Sequence, residues 1–162
     1  RDLHLSIRRQ RQMCIRDRAA AFCRWLSAKL GYEITLPTEQ QWEKAARGRD
    51  GRMFPYGNEF DAAKGNTHET GIGQTSAVGM YPNGASPYGV LDMSGNVWEW
   101  CLNKYSDPGQ TAVDASGEGR VVRGGSWNVH PCLARAVFRS WSYPNDWFAL
   151  QGFRVVRGAF PI

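Results

Sequence analysis

Two carboxylates, Asp92 and Glu99, bracket the turn-rich segment DMSGNVWE (92–99). Its glycine lets the backbone bend so that carbonyls point inward, and carboxylates combined with loop carbonyls make a hard-oxygen set suited to Ca²⁺. The same residues admit a second arrangement, in which Asp92 caps a turn and Glu99 pairs with an arginine such as Arg123. The thiols are Cys14, Cys23, Cys101 and Cys132. They show neither C-x-x-C spacing nor histidines at zinc-ligand intervals, so no zinc site or thioredoxin-like motif is expected, and they read as small apolar residues. Cys132, two residues from His130, is the catalytic nucleophile only if the chain is an enzyme.

The segment 127–151 is chemically richer. It interleaves Trp127, Phe138, Trp141, Tyr143, Trp147 and Phe148 with Ser140, Ser142, Asn145 and Asp146, between Pro131 and Pro144. Rings supply contact area at low entropic cost and small polar groups supply hydrogen bonds, the composition of adaptable recognition surfaces. Phe138 reads as core, whereas the pairs Trp141 with Tyr143 and Trp147 with Phe148 are expected to be exposed. A protein or small-molecule ligand is expected there, touching Trp127, Asn128, Val129, His130, Cys132, Ser140, Trp141, Ser142, Tyr143, Trp147 and Phe148.

Those groups need a scaffold. The chain has 162 residues, 42% hydrophobic and 22% charged, enough to bury one core without metal or disulfide staples. Seven Trp, 18 Gly and eight Pro point to short elements joined by ordered loops, not to long helices or a parallel sheet. The formal charge of +5 sits mostly in residues 1–18, which hold six Arg against two Asp and leave 14 basic against 13 acidic residues elsewhere. With no basic stripe to neutralise phosphates, nucleic acid is not an expected partner. Residues 1–18 have neither the apolar core of a signal peptide nor the roughly 20 apolar residues of a membrane span. They read as a solvated or non-native tail, and the domain as 19–162.

Residues 19–30 place Phe22, Trp25, Leu26 and Leu30 at helical spacing and stop at Gly31. Thr38 with Gln41 forms a capping-box pattern that opens a second helix running to Gly48. The stretch 49–91 reads as ordered loop anchored by Phe54, Tyr56, Phe60, Val78, Met80 and Tyr81. Apolar runs at 97–101, 120–123 and 152–156 read as strands of a small antiparallel sheet, with 107–119 as an exposed excursion.

The ordered series LPTEQQWEKAARG (36–48), FPYGN (54–58), YGVLDMSGNVWEW (88–100), RVVRGGSW (120–127) and GFRVV (152–156) resembles the signature of the formylglycine-generating-enzyme/sulfatase-modifying-factor family, across residues 20–157. The resemblance implies an irregular α+β, C-type-lectin-like fold with two N-terminal helices, a small antiparallel sheet and extensive ordered loops. It also implies a family portion N-terminal to the first helix that this chain lacks. Calcium would be held by the Asp92 and Glu99 side chains and by backbone oxygens of Gly95 and Val97. A second family calcium loop falls near Asn66 and Thr67, where Thr70 stands in place of a carboxylate, so no second ion is expected.

Oxidative catalysis in the family resembles copper chemistry on two cysteines placed after the RGGS block. Here Val129 and Ala134 occupy those places and Cys132 is out of register, so copper is not expected. Iron is not expected either, because the sulfoxide-synthase branch needs clustered histidines and this chain has only the scattered His4, His68 and His130. The layout is also similar to the variable proteins of bacterial and phage diversity-generating retroelements. On that likeness Arg135, Arg139, Pro144, Gly152, Phe153 and Arg154 are frame residues, while Val129, His130, Cys132, Leu133, 140–143 and 147–150 fall at diversified positions. The expected function is non-catalytic binding, with a metal-dependent thiol oxidoreductase as the alternative.

Overall fold

The computed structural model describes residues 15–112, 116–146 and 148–158. Helix α1 (Ile15–Leu30) leads through strand β1 (Ile34–Thr35) to helix α2 (Glu39–Arg47). A long irregular segment with three single turns of 3₁₀-helix follows. After it come β2 (Trp98–Lys104), β3 (Arg120–Arg123), a 3₁₀ turn (Pro131–Leu133), β4 (Arg139–Ser142), β5 (Gln151–Gly152) and β6 (Val156–Arg157). The main sheet has the order β4-β3-β2-β5. It is antiparallel from β4 to β2 and takes β5 as a short parallel edge, while β1 and β6 form a separate antiparallel pair. This is the α+β architecture implied by the resemblance.

Helix α1 starts within the stretch assigned to a tail: residues 15–18 form its first turn and Arg16 is 1% exposed. Residues 1–14, including His4 and Cys14, lie outside the described residues. The buried stripe of α1 is Arg16, Ala19, Ala20 and Cys23, at i, i+3, i+4 and i+7, and the three small side chains after Arg16 bring the helix close to the sheet. The larger Phe22, Trp25 and Leu30 lie on the flank and stay exposed, with Phe22 against Trp25 and Phe153. Helix α2 has the expected start: Gln41 N–H donates to the Thr38 hydroxyl (3.2 Å), and Gln41 Oε1 accepts from Thr38 N–H (2.8 Å).

Strand alternation splits the core in two. On one face Trp98, Trp100 and Leu102 of β2, with Val122 of β3, pack with Ala19, Cys23, Ile34 and Leu36. On the other face Cys101 and Val121 pack with Trp42, Ala46, Met93 and Ala136.

Two expectations change. Val78 and Met80 are not anchors, being 89% and 57% exposed. Their turn is pinned by a polar contact, Gly79 N–H to Asp92 Oδ2 at 2.7 Å, so apolar burial is not what holds it. The run 152–156 is not one strand: Gln151–Gly152 pairs with β2 and Val156–Arg157 with β1, because Arg154 between them turns inward to Glu99.

Candidate functional site

The 92–99 turn is a junction. Asp92 and Asn96 have left-handed φ of 58° and 68°. Gly95 is obligatory, because a Cβ there would overlap the Asn66 carbonyl. Asn96 ties three loops together. Its N–H donates to Asn66 O (2.7 Å), its Oδ1 accepts from Ser76 N–H (2.9 Å), and its carbonyl accepts from Trp127 N–H (3.0 Å).

Glu99 is 5% exposed, and both of its carboxylate oxygens are engaged. Oε2 accepts from Trp42 Nε1 (2.6 Å) and from Arg154 Nε, and Oε1 accepts from Arg154 (2.7 Å). The guanidinium also donates to Leu91 O and Asp92 O. Burial opposes the charge on Arg154, but the adjacent Glu99 outweighs it and raises the pKa above the usual arginine value. Glu99 thus adopts the ion-paired arrangement, with Arg154 in the part foreseen for Arg123, while Asp92 holds a turn amide. Arg123 instead bridges Glu39 (3.1 Å) and Glu43 (2.7 Å).

In this arrangement Asp92, Gly95, Val97 and Glu99 do not present a free oxygen cage. A cation there would have to take Glu99 from Arg154. At the second loop, the Thr70 hydroxyl lies 2.7 Å from Thr67 O and 3.0 Å from Asn66 Oδ1, oxygens a cation would need. Among the described residues no group of three or more His, Cys, Asp or Glu is gathered that could hold a metal ion.

After β3 the RGGSW loop folds tightly under this junction. Gly125, at φ 77°, would put a Cβ 2.9 Å from Ala134 Cα. Ala134 is fully buried and Val129 half-buried, with the Val129 carbonyl accepting from His68 N–H at 3.1 Å. The two positions expected to stand where the family has cysteines are thus a fully buried and a half-buried apolar side chain. Cys132 is exposed, and its N–H donates to His130 Nδ1 at 3.3 Å. His130 Nε2 lies 3.9 Å from Glu69. Cys23 and Cys101 are buried, which pushes both thiols up and away from thiolate chemistry.

The 127–151 segment contains β4, and that strand sorts its side chains. Arg139 and Trp141 face α2: the Arg139 guanidinium grips Glu39 (2.7 and 2.9 Å) and lies 4.6 Å from the Tyr105 ring. Trp141 stands between Tyr105 (6.4 Å) and Tyr143 (5.0 Å, edge-on). Ser140 and Ser142 face the α1 side, where Trp98, Val122, Phe148, Leu150 and Gln151, with Trp141 at the strand edge, complete a cleft of about 270 Å³. Trp141, Tyr143 and Phe148 are 46%, 49% and 55% exposed. Trp147 lies outside the described residues.

Among the described residues, no hydrogen bond or ring contact joins Trp127, Asn128, Val129, His130 and Cys132 to the β4 group. Tyr105, Trp98 and Gln151 were not foreseen. Extending the β2 alternation from 99, 101 and 103 to 105 would have put Tyr105 beside Arg139 and Trp141.

A hercynine oxygenase of Mycolicibacterium smegmatis is 36% identical over 151 residues, covering 85% of this chain and 35% of its own. An inactive C-alpha-formylglycine-generating enzyme 2 of Bos taurus is 33% identical over 157 residues, covering 87% and 48% respectively. A solved structure, Treponema denticola variable protein 1, superposes with a TM-score of 0.66 at 29% identity, over 76% of this chain and 47% of its own. The chain thus spans about a third to a half of the length of these relatives. The oxygenase names lend no support to the expectation that redox metals are absent. Residues 12–159 match the sulfatase-modifying factor enzyme 1-like domain, and with the fold and junction described above this places the chain in that family.

Proposed function

We propose that this chain is a non-catalytic recognition module of the family, binding a protein or small-molecule ligand through the surface of residues 127–151. The observation that carries the reading is the exposure of Trp141, Tyr143 and Phe148 around β4, where neither half of the core needs them. Exposed rings beside hydroxyls and an amide are equipped to bind and carry no reactive group. The expected alignment of Val129 and Ala134 with the family's two cysteines supports it, as do the likenesses to an inactive relative and to a variable protein. Calcium at Asp92, Gly95, Val97 and Glu99 belongs to this proposal only as a structural aid, tested by whether added Ca²⁺ raises Tm.

A second reading, a metal-dependent oxidoreductase acting on a thiol, is favoured by the exposed Cys132 and the oxygenase relatives. One experiment separates the two. The chain is incubated with Cu(I) or Fe(II) and a cysteine-containing peptide while oxygen is followed. Recognition alone predicts no uptake above the metal blank. Turnover that disappears in Cys132→Ser would overturn it.

A further inference from the structure

Resting on that recognition reading, we infer that the cleft beside β4 takes a small, flat, uncharged molecule carrying an N–H or O–H donor, which it offers to the side-chain oxygen of Gln151. The apolar walls are Trp98, Val122, Trp141, Phe148 and Leu150, and the polar groups are Ser140, Ser142 and Gln151. Three of the apolar walls are aromatic, which favours a ring packed among them. None is charged, so an ion would lose its hydration without gaining a partner, and a neutral ligand is preferred.

A chain of hydrogen bonds selects the donor. Asp146 Oδ2, a carboxylate oxygen that only accepts, takes the Ser142 hydroxyl proton (3.0 Å) and the Tyr143 N–H (3.0 Å). With its one proton spent there, Ser142 Oγ is left to accept, and it does so from Gln151 Nε2 at 2.7 Å. The Gln151 amide is therefore locked with its nitrogen toward Ser142. Exchanging its two ends would set oxygen against an oxygen with no proton to share. Gln151 Oε1 is then buried without a donor. Buried acceptors are nearly always met, and this one belongs to a side chain that lines the cleft, so the missing donor is assigned to the ligand.

Size and polarity favour a free small molecule over a side chain presented by a partner protein. The cleft of about 270 Å³ is a little below the roughly 300–1,000 Å³ of pockets for drug-sized ligands, and suits about two fused rings. Ser142 and the Gln151 nitrogen are committed to each other. Only the Ser140 hydroxyl is left in the lining for the backbone amides that a protein side chain would bring with it.

The test titrates the full ¹⁵N-labelled chain with indole and with benzofuran, which has the same shape and no donor, and follows the amide resonances by NMR. Indole is expected to bind about tenfold more tightly, the worth of one hydrogen bond, and to shift the Gln151 side-chain amide. In Gln151→Leu, which keeps a wall and removes the acceptor, the two compounds should bind alike. Both compounds meet the same unaltered protein in the first comparison, so misfolding cannot imitate the preference. If they bind equally to that protein and Trp141→Ala releases both, the donor requirement falls and the recognition surface stands. If neither binds at millimolar concentration, or if N-acetyltryptophanamide binds more tightly than indole, a free small-molecule ligand of this class is overturned.

Discussion

On the α1 side the main sheet presents Trp98, Trp100, Leu102 and Val122 to small helical side chains, whereas on the α2 side it presents Glu99, Asn103 and Arg123 to Glu39, Glu43, Arg139 and Arg154. The first face is held chiefly by area removed from water, with the buried Arg16 and Arg120 guanidiniums at its margin donating to the Leu102 carbonyl. The second buries charge that is acceptable only because each group has partners. Arg123, fully buried, meets two carboxylates and the carbonyls of Ala136 and Val137, and lies over the Trp42 ring. Such a network adds little net stability over an apolar equivalent but is costly to break in part. The apolar face therefore supplies bulk stability, while the polar face fixes where α2, β4 and the 92–99 turn sit.

The sharpest way to break this contrast is Arg123→Met, which empties the fully buried cationic position and leaves Glu39 with Arg139 and Glu43 with Arg47 as remaining partners. It is expected to lower unfolding free energy by about 3–5 kcal/mol in urea titrations, and a loss below about 1 kcal/mol would show the network to be dispensable. On the opposite face Val122→Ala removes two methyl groups from a closed cluster. It should cost about 2–3 kcal/mol, equally at all pH values where the chain is folded.

Asp50 and Arg52 provide the solvent-exposed reference, an ion pair on neither face. The side-chain hydrogen bond from Arg52 is the main cause that lowers the Asp50 carboxyl to about 2. A depressed carboxyl stabilises the fold above its ordinary value, and this is lost as pH falls toward about 2. Asp50→Asn should thus lower Tm slightly at neutral pH and leave it unchanged near the acid limit. A neutral-pH effect as large as that of Arg123→Met would erase the distinction between exposed and buried pairs.

Local signals were legible in the sequence. Thr38 and Gln41 announced the start of α2, and RVVR announced β3, because capping and a short apolar run are decided within a few residues. Strand β4 was hidden because RSWS carries polar groups toward both faces: serines toward one half of the core, Arg139 and Trp141 toward the other. The partner of Glu99 was hidden for another reason. Arg123 sits opposite it across the ladder, yet the guanidinium that reaches it comes from Arg154, 55 residues away, and only the folded chain sets that choice. The exposure of Trp141 was foreseeable from composition.

Asn96, gripping Asn66, Ser76 and Trp127 at once, has a dynamic consequence. Segments that share one clasp cannot open separately, so the irregular stretch between α2 and β2 should behave as part of the frame. Amide hydrogens of Ser76, Asn96 and Trp127 are then expected to exchange with solvent in a single cooperative event, as slowly as those of β2 and β3.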